Sequence, residues 1–336
     1  MLDFCMRYGA AARTALFFHA RRFWRRWALC AIALTLVLSS GYHLLLAPPA
    51  DFVPGEIVVI RNGSSGAAAA TELAAAQIIR QPLVFRAIVR LLGQGQQMQA
   101  GAYRFSSSQN VVVVAHRITH GVFGLPPQRI TFTEGMTVRS MARKVAAAFP
   151  EISASDFLAA AQPYEGYLFP DTYVFAPSAT AASIVTTLRE NFDTKTAALA
   201  AAAPASGHSF SDVVIMASLI QKEARTSTDQ HMIAGILWNR IAHHMPLQVD
   251  AVFGYIFGRS TYSPSFADLG VDSPYNTYTH QGLPPGPIDS PGLSALDAAE
   301  HPTKTNYLYY LTGTDGLMHY AMTYTAQLAN QRKYLR

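Results

Sequence analysis

Cysteine is nearly absent from this chain, with only Cys5 and Cys30 among 336 residues. Neither lies beyond position 47, so disulfides cannot hold most of the chain together and a hydrophobic core must do so. Charge is also sparse, at 14% Asp, Glu, Lys and Arg. From Trp27 to Ala47 there is none, and that run matches the ~20 apolar residues needed to span hydrocarbon. The formal net charge of +5 is no sign of nucleic-acid binding, because Arg7, Arg13, Arg21, Arg22, Arg25 and Arg26 against Asp3 account for all of it. Beyond Arg26 the chain balances at 20 basic and 20 acidic residues, which gives no support for a basic face. Phosphate-loop and dinucleotide fingerprints are missing. His231, His243, His244, His280, His301 and His319 show no H-E-x-x-H spacing, so neither a metal nor a cofactor is expected. Ser218 fails as an acyltransferase nucleophile, since Gln221 stands where S-x-x-K requires lysine.

What is present begins with topology. Residues 1–26 read as an arginine-rich cytoplasmic tail and 27–47 as a transmembrane helix, with Trp24 and Trp27 at the interface and the chain after Pro48 exported. A cleaved signal peptide is the competing reading, against which stand the length of the apolar run and the lack of a small-x-small cleavage site. The exported residues exceed what one small core usually serves, so two domains are expected.

The organisation reads as α+β. A strand at Ile57 to Ile60, a turn at Asn62 to Gly66 and a helix from about Ala67 to Ile79 are followed by a second apolar segment, Leu83 to Leu92. Looser copies of strand then helix follow, at Ala102 to Phe105 with Val111 to Ile118, and at Arg129 to Phe132 with Val138 to Phe149, where Thr137 is the expected N-cap. Residues 51–128 resemble the LysM-like module of cell-wall proteins, which implies glycan binding; a compact module with no ligand is the other reading. Ala197 to Ser206 reads as a linker or exposed helix end, since alanine favours helix while Pro204 and Gly207 stop it. A further helix is expected over His231 to Ile241, and Met245 to Leu293 reads as a long, aromatic, loop-rich binding surface.

The residue of greatest chemical interest is Glu223, near the end of the apolar segment Val213 to Ile220. Ser211 and Asp212 are the expected N-cap, and Met216, Ile220 and Glu223 share one helical face, which half-buries the acid. Such a carboxyl keeps its proton near neutral pH and suits glycosidic bond cleavage. A structural acid paired with Arg225 or Arg240 is the alternative.

Three segments stand out with it: Glu165-Gly-Tyr-Leu-Phe-Pro-Asp-Thr-Tyr173, the Glu223 helix, and Ser273-Pro-Tyr-Asn-Thr-Tyr278 running on to Ile288. Together with Asn239-Arg240, Leu247-Gln-Val-Asp250, His301-Pro302 and Tyr307-Leu-Tyr309, they make the chain resemble the YceG-like (MltG) endolytic murein transglycosylases, with residues 129–336 as the catalytic domain. The resemblance implies cleavage of peptidoglycan strands between N-acetylmuramic acid and N-acetylglucosamine to leave a 1,6-anhydro end. It implies Glu223 as the catalytic acid, the second Glu of an A-S-(I/L)-(I/V)-E-K-E signature whose first Glu is Gln221 here. It also implies partnership with peptidoglycan synthases at the inner membrane. Tyr167, Tyr173, Tyr275 and Tyr278 are expected to stack on sugars, and Gln221, Gln248, Asp250 and Asn276 to hydrogen-bond them. Glu165 and Asp171 are further substrate-binding candidates. Each has a plainer alternative: Tyr167 and Tyr173 as core aromatics, Asp171 as a turn cap, and Glu165 as a tie for the same loop. A membrane-tethered, non-catalytic glycan-binding scaffold is the rival function.

Overall fold

The computed structural model describes residues 24, 26–61, 63–91, 98–259 and 262–335. The arginine-rich tail lies almost wholly outside the described residues, as do Asn62 and Leu92. The chain divides into two compact units, Met1–Leu125 and Pro126–Arg336.

In the first unit, α1 (Arg26–Leu46) is a helix long and apolar enough to cross a membrane; its most apolar 18 residues are not buried, while Leu46 at its end packs against the core of the unit. Its last turn is tied down by Arg80 and Gln81, which donate to the carbonyls of His43 and Leu44. Strands β1 (Glu56–Ile60) and β2 (Gly101–Phe105) pair antiparallel, with Val58 opposite Tyr103. Helices α2 (Gly66–Ala75), α3 (Pro82–Leu91) and α4 (Val111–His120) cover the sheet and bury Leu73, Phe85, Tyr103, Phe105 and Ile118. The first helix stops at Ala75 rather than Ile79. Gln77 turns the chain at φ 54°, and Ile78 and Ile79 enter the core from a loop in which the Ile78 N–H still bonds the Leu73 carbonyl.

The second unit opens with β3 (Gln128–Thr131), whose antiparallel partner is β4 (Thr172–Phe175), a strand the sequence reading did not mark. Between them lie α5 (Val138–Ala148), capped by Thr137 as expected, and α6 (Ala154–Ala161). Of the two readings of Ala197 to Ser206, linker or exposed helix end, the second holds: the segment ends α7 (Ala181–Ser206), a 26-residue helix that runs through Pro204 and stops at Gly207, φ 86°.

Helix α8 (Phe210–Glu223) is the centre of this unit. All eight residues from Val213 to Ile220 are buried, so the helix has no solvent face in its middle and is a core helix rather than an amphipathic one. It packs against α7, α9 (Ser227–Ala242), α10 (Ala251–Ile256) and α11 (Leu293–Glu300). Its cap is Ser209, two residues before the expected Ser211. Ser209 Oγ accepts from the Asp212 N–H and the Asp212 carboxylate accepts from the Ser209 N–H, a reciprocal capping box. A hairpin of β5 (Tyr309–Thr312) and β6 (Met318–Ala321), followed by α12 (Tyr324–Tyr334), completes the fold.

Helix α9 passes the 303–305 segment so closely that a Cβ on Gly235 would meet the Thr303 carbonyl oxygen at 2.1 Å. Alanine there gains ~1 kcal/mol of helix propensity but meets backbone that cannot turn aside, an overpacking cost of about 1–3 kcal/mol or more. We therefore expect Gly235→Ala to lower the thermal midpoint by several degrees. Gly66→Ala, with nothing within 4 Å, should leave it unchanged or raise it. Equal behaviour of the two variants in a thermal melt would refute this packing account.

Candidate active site

Glu223 is the last residue of α8, where the helix leaves the core and meets a cleft. Its Oε2 accepts a 3.0 Å hydrogen bond from the Tyr310 hydroxyl on β5. Burial pushes its carboxyl up to about 7; the Tyr310 bond opposes this, and nearby Asp250 adds to it. Among the described residues no cation lies within 4.0 Å of the acid, so the ion pair with Arg225 or Arg240 is not formed. Arg240 is otherwise engaged: its guanidinium donates to the carbonyls of Pro246, Leu247 and Leu308 and to Gln248 Oε1.

Two chambers meet at Glu223 and Asp250, which line both. One, of ≈ 640 Å³, runs along Glu134, Lys222 and Tyr255. The other, of ≈ 330 Å³, is walled by Gln248, Tyr278, Tyr309 and Tyr310. Gln248 holds φ 52°, an uncommon backbone for a residue with a side chain, and its N–H bonds the Thr277 carbonyl. Tyr278 reaches across to donate to Asp250 Oδ1. The structure therefore gathers Glu223, Asp250, Gln248 and Tyr278 around one cleft.

Glu165 and Tyr275 line an adjoining cavity instead. Gly166, at φ 82°, lets its loop lie on Pro287, where a Cβ would come within 2.4 Å of the ring. Glu165 is thereby turned inward. Its Oε1 accepts from the Val138 N–H at 3.0 Å, and burial raises its carboxyl to about 7.

The remaining expected contacts line neither chamber at Glu223. Asn276 is fully buried, and its amide is spent on the carbonyls of Leu269 and Val271 and the Tyr278 N–H, so it braces the loop that carries Tyr278. Tyr173 donates to the Phe169 carbonyl and stacks on Phe175. Asp171 accepts from the Thr172 N–H, and the Tyr167 hydroxyl bonds Ser211. Gln221 also belongs to the framework: its Oε1 accepts from the Gly292 N–H at 2.8 Å while its Nε2 donates to Glu134 at 3.3 Å. Ser218 is buried, donating to the Ile215 carbonyl and accepting from the Ile288 N–H.

Tyr310, Lys222 and Asp289 escaped the sequence reading. Lys222 donates to the Gly135 carbonyl at 2.6 Å and stands 3.8 Å from Asp289. Asp289 has no exposed surface and neither of its oxygens has a hydrogen-bond partner. Burial raises it to about 8, against the pull of Lys222. No local pattern marks these groups, because they meet only through contacts across 67 to 87 positions of chain.

The sign of the Asp289 effect is testable. Its folded pKa lies above that of the unfolded chain, so the fold loses stability as pH rises from about 4 to about 8. An asparagine has no such loss. We expect the thermal midpoint of Asp289→Asn, relative to the unmodified protein, to climb by several degrees between pH 4.5 and pH 8; a difference independent of pH would contradict the burial account.

Residues 58–333 match the YceG-like family. An endolytic murein transglycosylase of Bacillus subtilis strain 168 is 31% identical over 303 residues, covering 82% of this chain and 84% of that protein. One of Streptococcus pneumoniae D39 is 34% identical over 163 residues, 47% of this chain and 30% of that one. The crystal structure of a yceG-like protein from Listeria monocytogenes superposes with a TM-score of 0.57 at 29% identity, covering 82% of this chain and 98% of that one. With the match spanning both units, the chain belongs to the YceG-like family.

Proposed function

We propose that this protein is an endolytic murein transglycosylase that cuts peptidoglycan glycan strands, with Glu223 as its one acid and base. The carrying observation is a carboxyl at the mouth of a cleft, free of any cation partner among the described residues and held near neutrality by burial. Near pH 7 such a group is available both as donor and as acceptor.

On this reading Glu223 first gives its proton to the bridging oxygen as the bond to C1 of the muramyl sugar breaks. The carboxylate so formed then takes the proton of that sugar's own C6 hydroxyl as its oxygen bonds C1, closing a 1,6-anhydro ring. No water is activated, so no second carboxylate is required. Intramolecular attack gains several kcal/mol from positioning alone. Gln248, Asp250 and Tyr278 stand where they hold sugar hydroxyls or acetamido groups. Tyr310, fixed on Glu223, steadies the anion between the two transfers.

Gln221 does not weaken the reading. It replaces the first acid of the family signature, but its amide bridges Glu134 and Gly292 and faces neither chamber at Glu223. A glutamate here would set two carboxylates against each other, whereas the amide supplies the donor that Glu134 needs. The scaffold alternative thus loses the one sequence feature that favoured it.

We place the protein in the inner membrane through α1, tail in the cytoplasm and the rest in the periplasm, acting on nascent strands beside glycan synthases. The supports are the arginine bias before α1 and the short segment Pro48 to Ala50 before the first folded residues. The first unit serves as a LysM-like glycan-binding module on the same reading.

We expect Glu223→Gln to cut release of anhydro-ended fragments from purified glycan, read by mass spectrometry, by roughly 10²–10⁴-fold while binding persists. The rate should fall as pH rises through about 7, where the acid loses its proton. Tyr310→Phe removes a bond that favours the anion, so this limb should move to higher pH. Release undiminished in Glu223→Gln, or a limb that moves down, would overturn the assignment.

A further inference from the structure

The cavity that holds Glu165 is continuous with the Glu223 cleft. Thr137, Ser140, Gly254, Tyr255 and Arg259 form walls of both. It measures ≈ 260 Å³, and its character is cationic. Arg139 and Arg259 both line it, and among the described residues neither has a carboxylate within 4.0 Å.

Both side chains are exposed, and each guanidinium has one close neighbour. That of Arg139 lies on Gly258, where a Cβ would come 1.8 Å from Nη1, and that of Arg259 stands over the Tyr262 ring at 5.1 Å. Helix α5 starts at this cavity, with Thr137 as its cap, so the positive end of its dipole adds to the field. Glu165 is the one acid in the lining; its carboxyl already accepts from the Val138 N–H, and burial raises it against the pull of that bond and of Arg139, so it offsets only part of that charge. Two guanidinium groups in a concavity, with no carboxylate within 4.0 Å of either among the described residues, favour an anionic guest, and their planar forks fit a carboxylate.

A glycan strand carries no ionised group on its sugar rings or acetamido arms. Its carboxylates belong to the short peptides attached through the lactyl ether of alternate sugars. Taking the strand to lie in the Glu223 cleft, as the reading above requires, we propose that the Arg139–Arg259 cavity is a subsite for the carboxylates of a stem peptide, through which the protein distinguishes peptide-bearing strands from bare ones.

The test uses the full-length chain in detergent with Glu223→Gln, so that bound strands persist. Affinity is measured for peptide-bearing strands and for the same strands stripped by an amidase, with the lactyl carboxylate that this exposes on each muramyl sugar capped as its methylamide. We expect the peptide-bearing form to bind about tenfold more tightly. Adding Arg139→Ala should abolish that preference while changing affinity for stripped strands less than twofold, and Arg259→Ala, whose side chain also walls the Glu223 cleft, should abolish it too; Arg139→Lys, which keeps charge but not the fork, should retain part of it. A free stem peptide should compete better than inorganic pyrophosphate, the other anion of a growing, lipid-linked strand. Equal affinity for the two strand types, parallel losses on both in the alanine variants, or stronger competition by pyrophosphate would overturn the assignment. Fragment release by the unmodified chain is followed alongside: preference without release would remove the lytic reading and keep this one.

Discussion

Removal of one carboxyl from water at the end of a buried helix sets the rest of the site. Helix α8 cannot carry Glu223 into solvent, because the eight residues from Val213 to Ile220 are enclosed by α7, α9, α10 and α11. At its C-terminal end the acid also meets the negative pole of the helix dipole, which disfavours a second negative charge there. Burial and dipole push in one direction and the Tyr310 hydrogen bond in the other, and burial is the largest of the causes. The result is an acid that is neither wholly ionised at neutral pH nor so weak that its proton is beyond use.

Holding that acid still is the work of its two neighbours on α8. Gln221 grips Glu134 and the Gly292 backbone, and Lys222 grips the Gly135 carbonyl, so the 133–136 loop and the 288–292 segment are fastened to one helix end. The two segments also pair with each other, Gly135 N–H to the Ser290 carbonyl and Ser290 N–H to the Met136 carbonyl. Ser218 adds a third tie at Ile288. Cleft walls drawn from distant sequence are therefore fixed to the element that carries the acid, which keeps reacting groups within the tolerance that positioning demands.

Sequence made the α+β class, the apolar N-terminal helix and the apolar body of α8 legible, because each is written in local pattern. Helix α7 was not, since alanine runs and Pro204 look the same in a linker as in an exposed helix end, and only packing of Leu188, Phe192 and Ala203 decides between them. The aromatic motifs were legible as segments but not as roles. Asn276 and Tyr173 sit in chemistry-rich stretches yet brace nearby backbone carbonyls, whereas Tyr310, in a hairpin that β-pairing brings back to α8, touches Glu223. Hydrogen bonds across such distances have no signature in spacing.

The position of the Glu223 equilibrium bears on why one acid is enough. A carboxyl at its ordinary value of about 4.5 keeps its proton in roughly one molecule in 300 at pH 7, a loss of more than 3 kcal/mol before any chemistry begins. At about 7 that loss all but vanishes. Raising it much further would reverse the difficulty, because so weak an acid would give up its proton unfavourably in the first transfer. Tyr310 limits the rise from burial by stabilising the anion, and Asp250, itself held by Tyr278, restores part of it. Proton donor and proton acceptor can then be the same two oxygen atoms, and the second carboxylate of a hydrolytic pair has no task left to perform.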